Sequence, residues 1–250
     1  MMIPYDQTYG SGAQSLVLLH SGGMAGEEWQ PQIAALSKRY RLLVPDLPGH
    51  GKTLLPDDQL SIGKLAAAVI AMLDAEGIAS AHICGSSMGA ATAMYLSLHY
   101  PERVEKAVFY RISYQKTGGT YEQTRLMADP AYWQRFGLQA WLSKLHEPQG
   151  GVEAWRRVIE RVSEALNPAH SEHSHRLEDF ARLDKSVLII TGDRDPVSPL
   201  ADALDLYRVI PNCGLWVMPF ASHITASNTW RSEAFAEEII RFLAREDKSS

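Results

Sequence analysis

The chain has only two cysteines, Cys84 and Cys213, and both sit in or beside apolar strand-like runs. Thiols so placed read as small buried hydrophobes, not as a disulfide framework or a cysteine-based metal site. Long apolar runs are missing too: none approaches the ~18 residues a membrane span requires. Positive charge is short, with 24 Lys and Arg against 29 Asp and Glu and a net charge of −5. Without a basic run there is no electrostatic footprint for nucleic acid. No Pro/Gly/Ser-rich linker, internal repeat or low-complexity tract divides the sequence. Met1 to Gly12 carries neither the basic n-region nor the apolar h-region of a secretory signal. These absences set the expectation of a soluble, cytoplasmic, globular protein. Its partner is then a small molecule, with no nucleic acid and no membrane.

What is present is alternation. A chain of 250 residues that is 46% hydrophobic can bury one substantial core. After a short segment around Ile3 to Thr8, Ser15–His20 is a continuous apolar run of the kind buried parallel strands show. An amphipathic stretch from Trp29 to Arg39 predicts a helix, and Tyr40–Val44 the next strand. Ser61 to Glu76 predicts a second helix, with Ser61 as N-cap, Leu65, Val69, Met72 and Leu73 sharing a face, and Gly77 as terminator. His82–Gly85 and Val104–Tyr110 read as strands flanking a helix that begins near Ala91. Past Arg111 the pattern breaks. No strand-like run occurs before about Leu183, and helical periodicity shows around Tyr132–Leu145 and Val152–Leu166. Eight of the 22 aromatic residues fall here, Trp133, Trp141 and Trp155 among them. Alternation resumes with strands at Ser186–Thr191 and Leu215–Met218 and helices at Leu200–Ile210 and Ser232–Arg245. The expectation is an α/β fold with a mostly parallel sheet, helices on both faces, and a helical lid insertion. Residues 1–110 and 184–250 form the core and residues 111–183 the cap.

The chain passes from strand to helix through Gly85-Ser86-Ser87-Met88-Gly89, a Gly-x-Ser-x-Gly pattern. So sharp a turn lifts Ser87 to the top of the sheet, and the flanking glycines leave room for neighbouring backbone. The first amides of the following helix then aim positive partial charge at whatever sits on Ser87. A serine hydroxyl is a poor nucleophile near pH 7 and needs a base, which in turn needs a group to fix its tautomer. Ligands of parallel α/β sheets bind at the carboxyl ends of the strands. There, the loop Gly192–Val197 offers the carboxylates of Asp193 and Asp195, and Pro219–His223 offers an imidazole.

Together with His20-Ser21-Gly22-Gly23, Asp46-Leu47-Pro48-Gly49-His50-Gly51 and Pro101-Glu102-Arg103-Val104, these pieces make the chain resemble the α/β-hydrolase fold family over nearly its whole length. The resemblance implies that Ser87 is the nucleophile, His223 the general base and acid, and Asp195 the residue that orients it. Asp195 is preferred to Asp193 on its place in the family's Gly-x-x-Asp pattern. The resemblance further implies an oxyanion hole from the amides of Met88 and Gly22. Two departures stand out. Ser21 follows His20 where members commonly have Gly, which leaves Gly23 competing with Gly22, and Ser222 precedes His223 where Gly is common. No metal or organic cofactor is implied.

Arg111, where the core strand leaves for the insertion, is a candidate partner for a substrate carboxylate, with a hinge salt bridge as the alternative. Gly23 is a second candidate for substrate contact. His20 and His50 read as structural loop residues. His170, His173 and His175 form a His-x-x-His-x-His cluster in a polar stretch without matching ligands, which is read as solvated cap, not metal site. The expected activity is a serine hydrolase cleaving a small ester, thioester, lactone or similar carbonyl substrate through an acyl-enzyme. The alternatives are a carbon–carbon bond hydrolase or lyase using the same triad and, from another class, a lidded ligand receptor.

Overall fold

A computed structural model describes residues 6–224 and 230–246. The first part of the N-terminal segment expected around Ile3 to Thr8 lies outside them. Seven strands form one sheet in the order β1-β3-β2-β4-β5-β6-β7. They are β1 (Asp6–Tyr9), β2 (Ser15–Leu19), β3 (Arg41–Pro45), β4 (Ala81–Ser86), β5 (Val104–Tyr110), β6 (Val187–Gly192) and β7 (Cys213–Met218). Only β1 runs antiparallel, against β3, and the other pairs are parallel.

Strand side chains alternate between two apolar layers, as a pleated strand buried on both faces requires. Val17, Leu19, Ile83, Ala107 and Phe109 point to one layer, beneath α2 (Ile62–Ala75), α3 (Met88–His99) and α8 (Leu200–Val209). Leu16, Leu18, Cys84, Val108 and Tyr110 point to the other, which packs on α1 (Gln30–Leu36) and the C-terminal α9 (Ser232–Leu243). Each fully buried Leu of β2 contributes roughly 1.5–3 kcal/mol by leaving water. Cys84 is buried, Cys213 half-buried, and both are unpaired. The Ser61 hydroxyl caps α2 by accepting the Lys64 N–H at 3.3 Å, and Gly77 ends it at φ 66°.

The segment between β5 and β6 is helical: α4 (Gly118–Ala128), α5 (Pro130–Arg135), α6 (Gln139–His146) and α7 (Ala154–Ala165). The sequence signal for α4 is masked by its opening Gly118-Gly119, each costing about 1 kcal/mol against Ala. A capping box between Thr117 and Thr120 offsets part of that cost. The single helix expected over Tyr132–Leu145 is two, because Gly137 sits in the left-handed region at φ 68°. Trp133, Leu142, Trp155 and Ile159 give this segment a small apolar cluster of its own. Among the described residues no helix is long and apolar enough to cross a membrane.

Candidate active site

β4 lies between β2 and β5 and delivers Ser87 at its carboxyl end. Ser87 has φ 51° and ψ −112°, a conformation that costs an L-residue on the order of 1–3 kcal/mol. Its amide bonds to the Tyr110 carbonyl at 2.9 Å, and its carbonyl accepts the Ala91 N–H at 2.9 Å. A β-carbon on Gly85 would lie 2.2 Å from the Gly89 carbonyl oxygen, and one on Gly89 would lie 2.3 Å from that of Leu19. Helix, elbow and neighbouring strand therefore close on each other only where side chains are missing.

The loops after β6 and β7 bring two more groups to Ser87. Its Oγ lies 3.0 Å from His223 Nε2, and His223 Nδ1 lies 2.8 Å from Asp195 Oδ2. With Nδ1–H donating to Asp195, Nε2 is free to accept the serine proton. The second oxygen of Asp195, Oδ1, accepts the Val197 and Ser198 amides at 2.8 and 2.9 Å. Burial would raise the Asp195 pKa, but His223 and these two amides outweigh it, and the group is held below its ordinary value. Burial lowers the His223 pKa; Asp195 partly opposes this, while Arg111 and Lys116 add to it. The imidazole is thus neutral near pH 7 and able to act as a base. Asp193, the competing carboxylate, instead accepts the Ala221 amide at 3.2 Å.

Of the two glycines of the His20 loop, Gly22 lines the space around Ser87. Gly23 is buried behind it at φ 75°, and its carbonyl accepts His146 Nε2–H at 2.9 Å. This corrects the expectation of substrate contact at Gly23. The Met88 N–H opens α3 and has no acceptor within the helix. His20 bridges the Ser21 carbonyl and the Leu47 amide, at 2.8 Å each, in the structural role expected of it.

For Arg111 the structure shows the alternative that the sequence left open, a salt bridge. Its guanidinium is buried and ion-paired at 2.5 Å with Glu28. It further donates to the hydroxyls of Ser21 and Ser86, at 2.7 and 3.0 Å, and to the His223 carbonyl at 2.5 Å. The cation thus has a carboxylate of the chain itself, holds the wall behind Ser87 and binds the His223 carbonyl, and it borders the larger cavity beside Ser87. Ser21, the departure from the family pattern, belongs to the same network: its amide and hydroxyl both donate to Glu28, at 2.6 and 2.8 Å. Sequence reasoning missed Glu28, which lies in the stretch after the Gly22 loop with no motif to mark it. It also missed Lys116, a buried lysine in a polar turn.

Two cavities meet at Ser87 and His223. The larger, about 470 Å³, is walled by Met24, Met127, Trp133, Leu138, Trp141 and Ile224 and is mainly apolar. The smaller, about 30 Å³, runs between Gly22, Trp133, Ile159 and Val162 to Lys116. The helical segment supplies most of the smaller cavity's lining and part of the larger one's, and a β-carbon on Gly22 would lie 2.3 Å from Val162. His170 is exposed and bonds to Glu164, whereas His173 and His175 are buried edge-to-face with ring centres 5.4 Å apart. Among the described residues no three His, Cys, Asp or Glu side chains are grouped to hold a metal ion.

The sequence profile of the alpha/beta hydrolase family matches residues 16–238. The chain belongs to this family. It is 30% identical over 245 residues to 3-oxoadipate enol-lactonase 2 of Acinetobacter baylyi, covering 92% of this chain and 89% of that protein. It is 38% identical over 279 residues to a 2-hydroxy-6-oxononadienedioate/2-hydroxy-6-oxononatrienedioate hydrolase of Burkholderia vietnamiensis, covering 98% and 92%. The crystal structure of the enol-lactonase from Burkholderia xenovorans LB400 superposes with a TM-score of 0.77 at 24% identity, over 96% of each chain. The fold is therefore that of the α/β hydrolases, and the chain is a hydrolase with relatives among lactone- and oxo-acid-cleaving enzymes. The ligand-receptor alternative finds no counterpart among these proteins.

Proposed function

We propose that the chain is a serine hydrolase of small esters or lactones that works through an acyl-enzyme at Ser87. The observation that carries this is the continuous relay from Ser87 Oγ through His223 to Asp195, at 3.0 and 2.8 Å, placed where two cavities meet. Nε2 of His223 takes the serine proton as Oγ bonds to the carbonyl carbon. The oxygen that becomes negative rests on the amides of Met88 and Gly22. As the intermediate collapses, the same proton passes from His223 to the leaving oxygen. A water, deprotonated by His223, then attacks the acyl carbon and releases the acid and Ser87. Residues 111–183 act as the cap that shapes the pocket and excludes water, and the cell compartment is the cytoplasm, in keeping with two unpaired thiols.

A second chemistry on the same relay, hydrolysis of a carbon–carbon bond beside a ketone, is favoured by the 38% identical relative, whose named substrate is a 6-oxo acid. A panel of p-nitrophenyl esters, lactones and thioesters, run on the wild type and Ser87→Ala, tests the proposal. The variant should lose at least ~10³-fold in kcat while its unfolding transition stays in place, and a fluorophosphonate should label only the wild type at Ser87. Activity surviving in Ser87→Ala would move the chemistry elsewhere. Turnover without labelling and without an acyl burst would leave Ser87 an acid/base partner only.

A further inference from the structure

Two buried cations lie close to Ser87, and they are held differently. Arg111 has Glu28. Lys116, on the turn leading from β5 into α4, is 5% exposed, and its Nζ meets the Val197 carbonyl at 3.1 Å. Among the described residues it forms no ion pair. The nearby Asp195 is committed, with one oxygen on His223 and the other on the Val197 and Ser198 amides. An ammonium carries three N–H donors, and only one of them is accounted for here.

A buried ammonium with a single neutral acceptor is a costly arrangement unless something else completes it. The space it borders is the small cavity shared with Ser87, His223 and Gly22. Its 30 Å³ has room for about two water-sized positions, about the size of a carboxylate group. The larger apolar cavity opens from the same Ser87 and His223. A molecule with its carbonyl on Ser87 would then place a small group toward Lys116 and its bulk among Met24, Trp133, Leu138 and Trp141.

We infer that Lys116 is the anion anchor of this site, selecting substrates that carry a carboxylate on the small-cavity side of the scissile carbonyl. Burial lowers the pKa of the Lys116 ammonium, with Asp195 and Asp202 partly opposing it, to a net value of about 8. A carboxylate brought into contact would restore the full charge, so specificity and protonation act in the same direction. Lys116 is a binding residue, with no part in proton transfer to the leaving group.

The inference rests on the proposed function for its kinetic arm but not for its binding arm, so the two can fail separately. The kinetic arm compares p-nitrophenyl butyrate with mono-p-nitrophenyl succinate, whose acyl chain ends in a carboxylate. It also compares p-nitrophenyl acetate with 5-acetoxy-2-nitrobenzoate, whose leaving group carries one. Lys116→Met and Lys116→Gln should each lower the anionic-to-neutral ratio of kcat/KM at least about tenfold in one of these pairs, mainly through KM. The pair affected tells which half of the substrate presents its carboxylate to Lys116. Equal losses on anionic and neutral esters, or no loss, would overturn the inference. Recovery in Lys116→Gln alone would do so too, because glutamine keeps a donor for the Val197 carbonyl and lacks the charge. The binding arm titrates succinate against Ser87→Ala with and without Lys116→Gln, following tryptophan fluorescence. At least about tenfold weaker binding in the double variant is expected, and equal binding would again overturn the assignment. Lys116-dependent binding in a protein that cleaves no ester would leave the anion site standing and remove the esterase chemistry.

Discussion

The carboxyl end of the sheet and the helical stretch between β5 and β6 share one pocket but are built on different terms. Ser87, His223, Asp195 and Arg111 hang from strand ends or the loops beside them and Glu28 from a short 3-10 helix, Gly26–Trp29, and each is fixed by at least one close polar partner. The two apolar layers of the sheet lie directly below. The helical stretch has four buried residues in its own cluster, and Met127, Tyr132, Leu138 and Trp141 only lean against it. The proposed relay thus sits over the two large apolar layers, while much of the pocket lining comes from the part with the smaller core. A site so divided can change its pocket without disturbing its relay.

The largest expected effect breaks the sheet side of this contrast. Asp195→Asn removes the charge that holds His223 Nδ1–H and lets the ring take the wrong tautomer. A fall in kcat of about 10⁴-fold is expected, with the Ser87 elbow and the substrate KM little changed. Stopped-flow ester hydrolysis measures it. A loss under about tenfold would mean that Asp193, now on the Ala221 amide, can take over the role, and that the sheet end is less fixed than its bonds suggest.

The next effect is on stability. Arg111→Met leaves the Glu28 carboxylate, with a side chain 8% exposed, without its cation. Removing one partner of a buried pair costs about 3–5 kcal/mol, and the double change Glu28→Gln/Arg111→Met should recover much of it. Urea unfolding of the two variants gives the comparison. If Arg111→Met were as stable as wild type but lost affinity for acidic esters alone, the guanidinium would be serving substrate after all, and the division between wall and anchor would be misplaced.

How far this division was legible in the sequence follows from the range of the interactions involved. β5 reads correctly at both ends because its apolar stretch Ala107–Tyr110 is buried on both faces even though Glu105 and Lys106 precede it, and α2 because its cap, stripe and terminating glycine are all local. The relay was legible because each member sits at a strand end inside a motif of its own. Helix α4 was not, since it depends on the Thr117–Thr120 box to override two glycines. A salt bridge at Arg111 was one of two readings, but its partner was not legible: the ion pair spans 83 residues of sequence, and no pattern around Glu28 announces it. Lys116 went unseen because burial of a single polar residue in a turn is set wholly by what the chain packs over it.

The smallest expected effect concerns the joint between the two regions, which acid should loosen. His146, the last residue of α6, donates Nε2–H to the Gly23 carbonyl at 2.9 Å and accepts the Gly51 amide on Nδ1 at 3.2 Å. Only the neutral ring can do both. Burial lowers its pKa to about 4, partly opposed by the Gly23 hydrogen bond, and the neighbouring His20 lowers it further. The unfolded chain takes up this proton near pH 6.5, and the folded chain not until about 4. Stability contributed by the neutral ring is therefore intact above pH 6.5, falls as the pH drops below that value, and is fully lost below about 4. Between pH 7 and pH 5 the share of His146 comes to about 2 kcal/mol. His20, His50, His173 and His175 are likewise buried with lowered pKa values, so wild type should lose more than this in total. The contribution of His146 is isolated by urea unfolding of wild type and His146→Gln at both pH values. The glutamine variant starts lower, since it rebuilds the two bonds imperfectly, but should lose about 2 kcal/mol less on acidification. Equal losses would mean that the joint is not held by a neutral imidazole, and that the helical stretch is tied to the sheet chiefly by the apolar contacts around Trp133 and Ile159.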